Sequence, residues 1–319
     1  MYKPPFSIGS KIIHLIAEIS ALIERHAMRM EQSDKLFLRK INRIKTIQGS
    51  LAIEGNTLSE NLITDILDGK TVVAPLREIQ EVKNAIKVYD VFQTLNPYDV
   101  TDLLKAHKLM MESLIDRAGQ FRTGGVGVFA GERPIHIAPP ADKVPYLIND
   151  LFEWLQKSDD HLLIKSCVFH YEFEFIHPFI DGNGRLGRLW QSLILSQLHP
   201  LFEHLPVENM VFKNQQQYYD AINKSSEATD CCFFIEFMLE EILVTLQEKQ
   251  NESPIDTVND TVNDTVKLII DNPKITFDEL AFRLKKSRRT ISRIIKKLQE
   301  EGKIIRKGSD KNGVWEILQ

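Results

Sequence analysis

The sequence predicts a mainly α-helical protein that carries a small winged helix-turn-helix domain at its C-terminal end. Apolar residues recur at three- and four-residue steps through most of residues 1–250, which is the periodicity of amphipathic helices. Within this region, residues 124–138 combine glycines, β-branched residues and a turn-like Gly-Glu-Arg, which predicts a short β-hairpin. Residues 251–319 begin with a Pro-containing linker and continue with three helical segments and two short β-like runs. We therefore expect two domains, 1–250 and 251–319.

The individual helices follow from periodicity and from capping signals. The first is predicted over 10–30 and the second over about 34–56. The third, over 57–69, opens with a capping box from Thr57 to Glu60. Further helices are predicted over 76–94, 99–114, 142–156, 160–176, 184–198, 215–224 and 230–248.

Composition excludes several classes of protein. No apolar run reaches the roughly 20 residues that span a bilayer, and the first 20 residues predict neither a signal peptide nor an anchor. The three cysteines, Cys167, Cys231 and Cys232, fit neither a disulfide framework nor a metal-ligand spacing. We therefore expect a cytoplasmic protein without a membrane partner.

Residues 177–188, HPFIDGNGRLGR, join two apolar helical segments. The first helix should end at His177, because Pro178 disfavours a helical residue before it. The second begins near Gly184, where free N–H groups and the helix dipole favour an anion. A histidine beside bound phosphate has the chemistry of a general base toward an attacking hydroxyl. Alone, Gly-Asn-Gly is a common turn and His-Pro a helix terminator, but their combination with charged groups favours a phosphate site.

The remaining polar residues of the loop suit the same chemistry. Gly182 and Gly184 lack a Cβ atom, so the backbone can approach phosphate oxygens closely. Arg185 and Arg188 lie three residues apart, on nearly one helical face, where both can bind phosphates. Asp181 precedes the glycines, where a carboxylate can hold a Mg²⁺ that bridges two phosphates.

This loop resembles the motif of the Fic family: a His, any residue, Phe, any residue, Asp or Glu, then Gly-Asn-Gly-Arg, two residues, and Arg. All eight fixed positions are met, by His177, Phe179, Asp181, Gly182, Asn183, Gly184, Arg185 and Arg188. The resemblance covers roughly residues 1–250. It implies a helical core that transfers AMP from ATP to a Ser, Thr or Tyr hydroxyl of a target protein, with release of pyrophosphate.

The resemblance also implies roles for individual residues. His177 would deprotonate the target hydroxyl, Asp181 would bind Mg²⁺ or Mn²⁺, and Phe179 would anchor the loop in the core. The ATP phosphates would be bound by Gly182, Asn183, Gly184, Arg185, Leu186, Gly187 and Arg188.

Two further segments resemble parts of Fic proteins. Family relatives place a β-hairpin flap over the site to align the target by strand addition, and the hairpin at 124–138 matches it in position. Ile135 and His136 are candidates for contacting the target or the nucleotide, with an ordinary surface hairpin as the alternative. The segment QYYDAINKSSEA resembles the lining of the adenine pocket, which makes Tyr218 and Tyr219 candidates for that pocket.

The segment SLAIEG, residues 50–55, places Glu54 at the C-terminal end of its helix. The helix dipole disfavours a negative charge there by up to about 1 kcal/mol, so the carboxylate should favour a cationic partner. Ser50, one turn earlier, can support it; a solvated glutamate is the alternative. The segment resembles the inhibitory helix of Fic proteins, and Ser50, Glu54 and Gly55 satisfy its pattern. By that analogy Glu54 pairs with Arg188 and the protein is autoinhibited, as in the subclass whose inhibitory helix is N-terminal to the core.

The C-terminal domain is basic, although the chain has a formal net charge of −4. In SRRTISRIIKKL, Ser287 can cap the helix, and its buried stripe is Ile291, Ile294, Ile295 and Leu298. The DNA-binding candidates outside the stripe are Arg288, Arg289, Arg293, Lys296 and Lys297, and the wing could add Lys303, Arg306, Lys307 and Lys311. DNA binding and protein docking both remain open, because the fold serves both.

Together these features predict an autoinhibited protein adenylyltransferase that uses ATP and Mg²⁺ (or Mn²⁺) and binds its target at the flap. The alternative from another class is a nucleotide-sensing DNA-binding transcriptional regulator that transfers little. Relatives that transfer phosphate or phosphocholine are a further alternative, and a homodimer remains open.

Overall fold

The computed structural model describes residues 2–27, 32–130, 133–203, 205, 207–251, 256–284, 286–300, 302–308 and 313–318. The fourteen α-helices in these ranges are α1 (Ser10–Ala27), α2 (Gln32–Ile53), α3 (Glu60–Leu67), α4 (Leu76–Asp90), α5 (Val100–Met110), α6 (Val144–Lys157), α7 (Leu162–Ile176), α8 (Asn183–Ser196), α9 (Val207–Lys213), α10 (Gln215–Ala228), α11 (Cys232–Asn251), α12 (Asp256–Asp271), α13 (Phe277–Arg283) and α14 (Arg288–Glu300). The strands are β1 (Gly127–Ala130), β2 (Arg133–Ile137), β3 (Ile304–Lys307) and β4 (Val314–Ile317). The predicted mainly helical fold is confirmed.

Each pair of strands forms an antiparallel hairpin. In the first, β1 pairs with β2 inside the range predicted for the hairpin, and the register shifts between Val128 and Phe129. In the second, β3 pairs with β4 in a regular register from Ile304 with Ile317 to Lys307 with Val314.

The chain forms two compact units. The first comprises Met1–Ala27 and Asn42–Leu246, and the second comprises Met28–Ile41 and Gln247–Gln319. The domain boundary between residues 250 and 251 stays a prediction. None of the helices in the described ranges combines the length and the apolar character that crossing a membrane requires.

The core of the first unit is built around α7 and α8. Both helices are buried on nearly all sides: apolar residues occupy most positions of LLIKSCVFHYEFEFI in α7, whereas α8 buries Arg185, Arg188 and Gln191 together with its apolar residues. A helix that is hydrophobic all round belongs in the centre of a core. A second apolar cluster joins the end of α2 to α3 and α4 through Ile47, Leu51, Ile63 and Val82. This cluster fixes the C-terminal end of α2, where Glu54 follows.

The start of α3 differs from the prediction. Its N-cap is Ser59, whose hydroxyl accepts a hydrogen bond from the Leu62 N–H. The Thr57 hydroxyl and N–H instead donate to Glu78 Oε2 of α4, at 2.9 and 2.6 Å. The predicted capping box from Thr57 to Glu60 is therefore wrong, because a carboxylate from a distant helix binds the threonine.

Two helices end earlier than their periodicity predicts. The helix predicted over 76–94 ends at Asp90, and 92–94 continue as a 3₁₀ turn. The helix predicted over 99–114 ends at Met110, and Ser113 takes a left-handed φ of 60°. Apolar side chains beyond both ends still pack on the core, so periodicity continues where the helix does not.

The second unit contains the winged helix-turn-helix. Thr276 and Glu279 form a reciprocal capping box at the start of α13. The predicted stripe of α14, namely Ile291, Ile294, Ile295 and Leu298, is buried together with Trp315 of β4. The indole N–H of Trp315 donates to the Ile275 carbonyl at 3.1 Å, and the Arg306 guanidinium lies 4.7 Å from the centre of its ring.

Candidate active site

The loop between α7 and α8 bends through two left-handed residues. His177, with a φ of 49°, ends α7 and donates its N–H to the Phe173 carbonyl. Gly182, with a φ of 85°, is the N-cap of α8. A Cβ atom at Gly182 would lie 2.7 Å from Met111 Sδ, so both the backbone angle and the packing require glycine. The bend places the side chain of His177 and the N-terminus of α8 beside one another.

Asn183 holds the loop in this shape. Its Oδ1 accepts from the Phe179 N–H and its Nδ2 donates to the Phe179 carbonyl, both at 2.9 Å. The Phe179 ring is fully buried, as a core anchor would be. The amide of Asn183 thus satisfies two backbone groups that a buried loop would otherwise leave without partners.

Phe179 stacks on His107 of α5, with ring centres 3.7 Å apart. The Gly119 N–H donates to His107 Nδ1 at 2.8 Å, so the ring proton of neutral His107 lies on Nε2 and is donated to the Asp181 carbonyl at 3.0 Å. Burial lowers the pKa of His107 to about 4, which keeps the ring neutral. The hydrogen bonds of this histidine therefore fix its own tautomer and the position of the loop.

Two arginines and Asp181 form a charged cluster at the start of α8. Asp181 Oδ1 accepts from the Gly182 N–H at 2.6 Å and from Arg185 Nη2 at 3.1 Å. Asp181 Oδ2 accepts from Arg77 Nη2 of α4 at 3.3 Å. Arg185 is buried, and its Nη1 lies 3.9 Å from Glu81 Oε1.

Arg188 of α8 is paired with the end of α2. Its Nη2 donates to Glu54 Oε1 at 2.8 Å and to the main-chain carbonyl of Ser50 at 3.1 Å. The Arg188 side chain is 2% exposed, so the carboxylate compensates a buried charge. A Cβ atom at Gly184 would lie 2.7 Å from Glu54 Oε1, so the approach of Glu54 depends on that glycine.

An open cavity of about 170 Å³ adjoins this pair. Its lining includes Glu54, Glu174, His177, Arg188, Tyr218 and Tyr219. Burial raises the pKa of the Glu174 carboxyl to about 7; Arg188 opposes this effect and Glu54 adds to it. The cavity therefore has one buried cation, two carboxyl groups and a histidine at its wall.

The two tyrosines lie differently in this cavity. Tyr218 is buried, and its hydroxyl lies 3.1 Å from His170 Nε2. His170 Nδ1 lies 2.7 Å from Gln191 Oε1, and burial lowers the pKa of His170 to about 3. Neutral His170 thus donates to Gln191 and accepts from Tyr218. Tyr219 is 37% exposed at the rim.

The tautomer of His177 follows from its contact with α7. Its Nδ1 lies 3.3 Å from the Glu174 main-chain carbonyl, which can only accept a hydrogen bond. In the neutral ring Nδ1 therefore carries the proton and Nε2 does not. Such a ring is oriented to take a proton at Nε2.

Comparisons with known proteins identify the family of the chain. Residues 97–195 match the family model described as the Fic/DOC family, and residues 259–305 match the model described as winged helix-turn-helix DNA-binding. The structure is similar to that of a Fic family protein from Desulfovibrio desulfuricans G20, with 39% sequence identity, a TM-score of 0.77 and coverage of 99% of this chain and 98% of that one. The chain belongs to the Fic family.

Two curated relatives of this Fic protein carry more specific names. It is 26% identical over 204 residues to the protein named protein adenylyltransferase Fic of Nematostella vectensis, over 60% of this chain and 45% of the relative. It is 40% identical over 91 residues to a probable protein adenylyltransferase of Aquifex aeolicus, over 28% of this chain and 26% of the relative. The alignments thus span less than half the length of these relatives.

The predicted Fic site residues are not all brought to one place. His177, Gly184, Arg188, Tyr218 and Tyr219 line the cavity, and Asp181 and Arg185 lie at the start of α8. The Leu186 side chain is fully buried in the core. Gly187 faces α7, where an added Cβ would lie 3.1 Å from Glu174 Oε1 and 3.3 Å from His170. Both residues therefore face the core.

The structure does not describe the side chains of the two flap candidates, and it gives Ser50 a contact other than the predicted one. Ile135 and His136 lie in β2, but their side chains fall outside the described part of the Fic protein. Ser50 contacts Arg188 through its main-chain carbonyl, whereas the sequence suggested support of Glu54.

Arg122 is a central residue of the Fic site that sequence reasoning did not assign. It is 2% exposed, and its Nε donates to the carbonyl of His177 at 2.8 Å. Its two terminal nitrogens donate to the carbonyls of Gly124, Pro139 and Ile176. The Arg122 guanidinium thus caps the C-terminal end of α7. It also connects the segments on both sides of the β1–β2 hairpin to the loop between α7 and α8. No pattern in the neighbouring residues 119–122, GQFR, indicates this role. Three of the four carbonyls that Arg122 binds lie 17 to 55 residues away along the chain.

Replacing Arg122 by alanine should lower the free energy of unfolding by at least about 3 kcal/mol, because each buried carbonyl left without a donor costs about 1–3 kcal/mol. Urea denaturation measures the change. Arg117→Ala is the matched control, since the hydrogen bonds of Arg117 within the described residues go to the side chains of Gln120 and Thr123. The control should lower the free energy of unfolding by less than about 1 kcal/mol. Equal decreases in the two variants would contradict the capping role.

Proposed function

We propose that this Fic protein is a protein adenylyltransferase whose activity is restrained by the Glu54–Arg188 pair. One observation carries the proposal. Arg185 Nε and Arg188 Nε, in the first two turns of α8, are buried and have no hydrogen-bond partner among the residues that the structure describes. Buried donors of this kind need an anion, and a helix N-terminus favours phosphate. The names of the relatives from N. vectensis and A. aeolicus support the choice of reaction.

In the proposed reaction His177 Nε2 takes the proton of a Ser, Thr or Tyr hydroxyl of the target. The hydroxyl oxygen then forms a bond to the α-phosphorus of ATP, and the bond from that phosphorus to the bridging oxygen of pyrophosphate breaks. The backbone N–H groups at the start of α8, with Arg185, stabilise the charge that develops on the phosphate. Tyr218 and Tyr219 would hold the adenine. The edges of the β1–β2 hairpin would align the target segment by strand addition.

The side chains around Asp181 fit a metal that arrives with the nucleotide. Among the described residues there is no group of three or more His, Cys, Asp or Glu side chains that could hold a metal ion. Mg²⁺ commonly binds through one or two carboxylates together with substrate phosphates and water. Asp181, which is 36% exposed, can supply such a carboxylate. When bound, Mg²⁺ or Mn²⁺ would neutralise charge on the phosphates of ATP.

The proposed restraint follows from the hydrogen bond between Arg188 and Glu54. Glu54 holds the Nη2 atom that a γ-phosphate would need, and its Oε1 lies only 2.7 Å from where a Cβ at Gly184 would be. A negative side chain in this position also repels the phosphates of ATP. ATP would therefore bind in an unproductive pose until Glu54 moves.

The test is label transfer from ATP to protein in a cell lysate with the Glu54→Gly variant, which lacks the proposed restraint, and with label placed on either the α- or the γ-phosphate. AMP transfer carries only the α-label to protein, whereas phosphate transfer carries only the γ-label. Absence of label with intact ATP binding would contradict the proposal and favour the nucleotide-sensing regulator.

We also propose that the winged helix binds DNA through α14. Arg288, Arg289, Arg293, Lys296 and Lys297 are exposed and lie outside the buried stripe of α14. Lys311 of the predicted wing lies outside the described residues. The match to a winged helix-turn-helix DNA-binding model supports this face as the contact surface.

Replacing Arg289 and Arg293 by alanine should weaken the binding of duplex DNA. The slope of log K against log salt should also decrease by about one for each phosphate that the protein no longer neutralises. Fluorescence polarisation at several salt concentrations measures both quantities with the full chain. Lys267→Ala is the control, since it removes an exposed positive charge that belongs to α12 and pairs with Asp264 of the same helix. Unchanged DNA affinity in the double variant would favour protein docking.

A further inference from the structure

The Oδ2 atom of Asp181 is bound by a cationic side chain from another helix, Arg77 of α4. Oδ1 is bound within the loop, by the Gly182 N–H and Arg185. Oδ2 points away from these donors and accepts from Arg77 Nη2 of α4. Arg77 is not part of the Fic motif in the sequence. We propose that Arg77 stands in for the metal on Asp181 and must leave that oxygen when a metal-bound nucleotide arrives, which rests on the function proposed above.

Arg77 is held in this place by its own helix. Its Nε lies 3.4 Å from Glu81 Oε1, one turn further along α4. Glu81 is 12% exposed, and its other oxygen accepts from Asn56 Nδ2 at 2.9 Å. Asn56 follows Glu54 by two residues. Arg77 is therefore connected, through Glu81 and two hydrogen bonds, to the segment after α2 that carries Glu54.

The contact has the properties of a displaceable pair. The Arg77 side chain is 62% exposed, and its bonds to Asp181 and Glu81 are long, at 3.3 and 3.4 Å. Exposed ion pairs of this kind change an equilibrium by about two- to fivefold. A guanidinium and a divalent cation cannot share Oδ2 without repelling each other. Removing Arg77 should therefore favour the metal by a factor in this range.

The experiment measures the dissociation constant of α,β-methylene ATP, which cannot release pyrophosphate, by isothermal titration calorimetry. Each variant is measured in EDTA and in Mn²⁺. The ratio of the dissociation constant in EDTA to that in Mn²⁺ gives the factor by which the metal strengthens binding. All variants are full-length and carry Glu54→Gly. Arg77→Gln is compared with Asp181→Ala and with Lys87→Gln, a control that removes a charge about 15 Å further along α4. Lys87 pairs with Glu112 and lies outside the proposed site.

We expect the ratio to rise about two- to fivefold in Arg77→Gln, to stay unchanged in Lys87→Gln, and to fall to about one in Asp181→Ala. An unchanged or lower ratio in Arg77→Gln, with the decrease in Asp181→Ala intact, would overturn the role of Arg77 and leave the proposed function standing. A ratio in Asp181→Ala equal to that of the parent would instead overturn the metal role of Asp181, and with it the proposed competition.

Discussion

Replacing Glu54 by glycine is expected to raise AMP transfer to protein by about ten- to a hundredfold. The substitution frees the buried Nη2 of Arg188 for the γ-phosphate. A hydrogen bond to a charged group contributes about 1.5–3 kcal/mol, and each 1.4 kcal/mol is a factor of about ten. The rate of transfer of α-label to protein measures the effect. ATP should also raise the melting temperature of this variant more than that of the wild type, since it then compensates the buried arginine.

Asp68→Gly is the matched control for this experiment. Asp68 is an exposed acid at the C-terminal end of α3 and precedes Gly69, as Glu54 precedes Gly55 at the end of α2. The control should leave transfer at the wild-type rate. An equal rise in both variants, or no rise in Glu54→Gly, would mean that the Glu54–Arg188 pair does not restrain AMP transfer.

Replacing His177 by asparagine in the Glu54→Gly background should lower transfer by about 10²–10⁴-fold, the usual contribution of a general base. Asparagine is chosen because it tolerates the left-handed backbone of this position better than alanine does. The change removes the proton acceptor and leaves the phosphate-binding residues in place. The α-label assay gives the rate, and calorimetry should give an unchanged affinity for ATP.

The control for the base is His14→Asn, because the His14 side chain is 72% exposed on α1. Its transfer rate should equal that of the Glu54→Gly parent. Retention of more than about a tenth of the rate in His177→Asn would contradict the assignment of the base. A decrease in ATP affinity in that variant would show instead that the loop had been disrupted.

The fold was largely predictable because its information is local. Periodicity located most of the helices, and glycines with β-branched residues located the first hairpin. The misplaced features depend on contacts between distant segments. Thr57 fits a capping box in sequence, but Glu78 of α4 binds it in the structure. The short helix α9 gave no periodic signal over seven residues.

The candidate site was predictable where the motif is continuous in sequence. The loop from His177 to Arg188 contains its own glycines, acid and arginines, and the Glu54 segment has a pattern of its own. His107, Arg122 and Arg77 were missed, because each acts on this loop from 55 to 104 residues away. Only His107 carried a signal, since it lies on the buried face of α5 beside Leu103 and Met110.

The attachment of Glu54 to a packed helix has a consequence for how its hold on Arg188 can be overcome. A carboxylate tethered to the same chain acts at a fixed effective concentration, which does not fall when the protein is diluted. A nucleotide free in solution would compete with this carboxylate for Arg188 at a disadvantage that is the same at every protein concentration. The end of α2 is held by Ile47 and Leu51 in the core and by Gln215, which donates to the Ile53 carbonyl at 3.3 Å. A partner or modification that loosens these contacts would lower that effective concentration, and would release Arg188 without occupying the cavity itself.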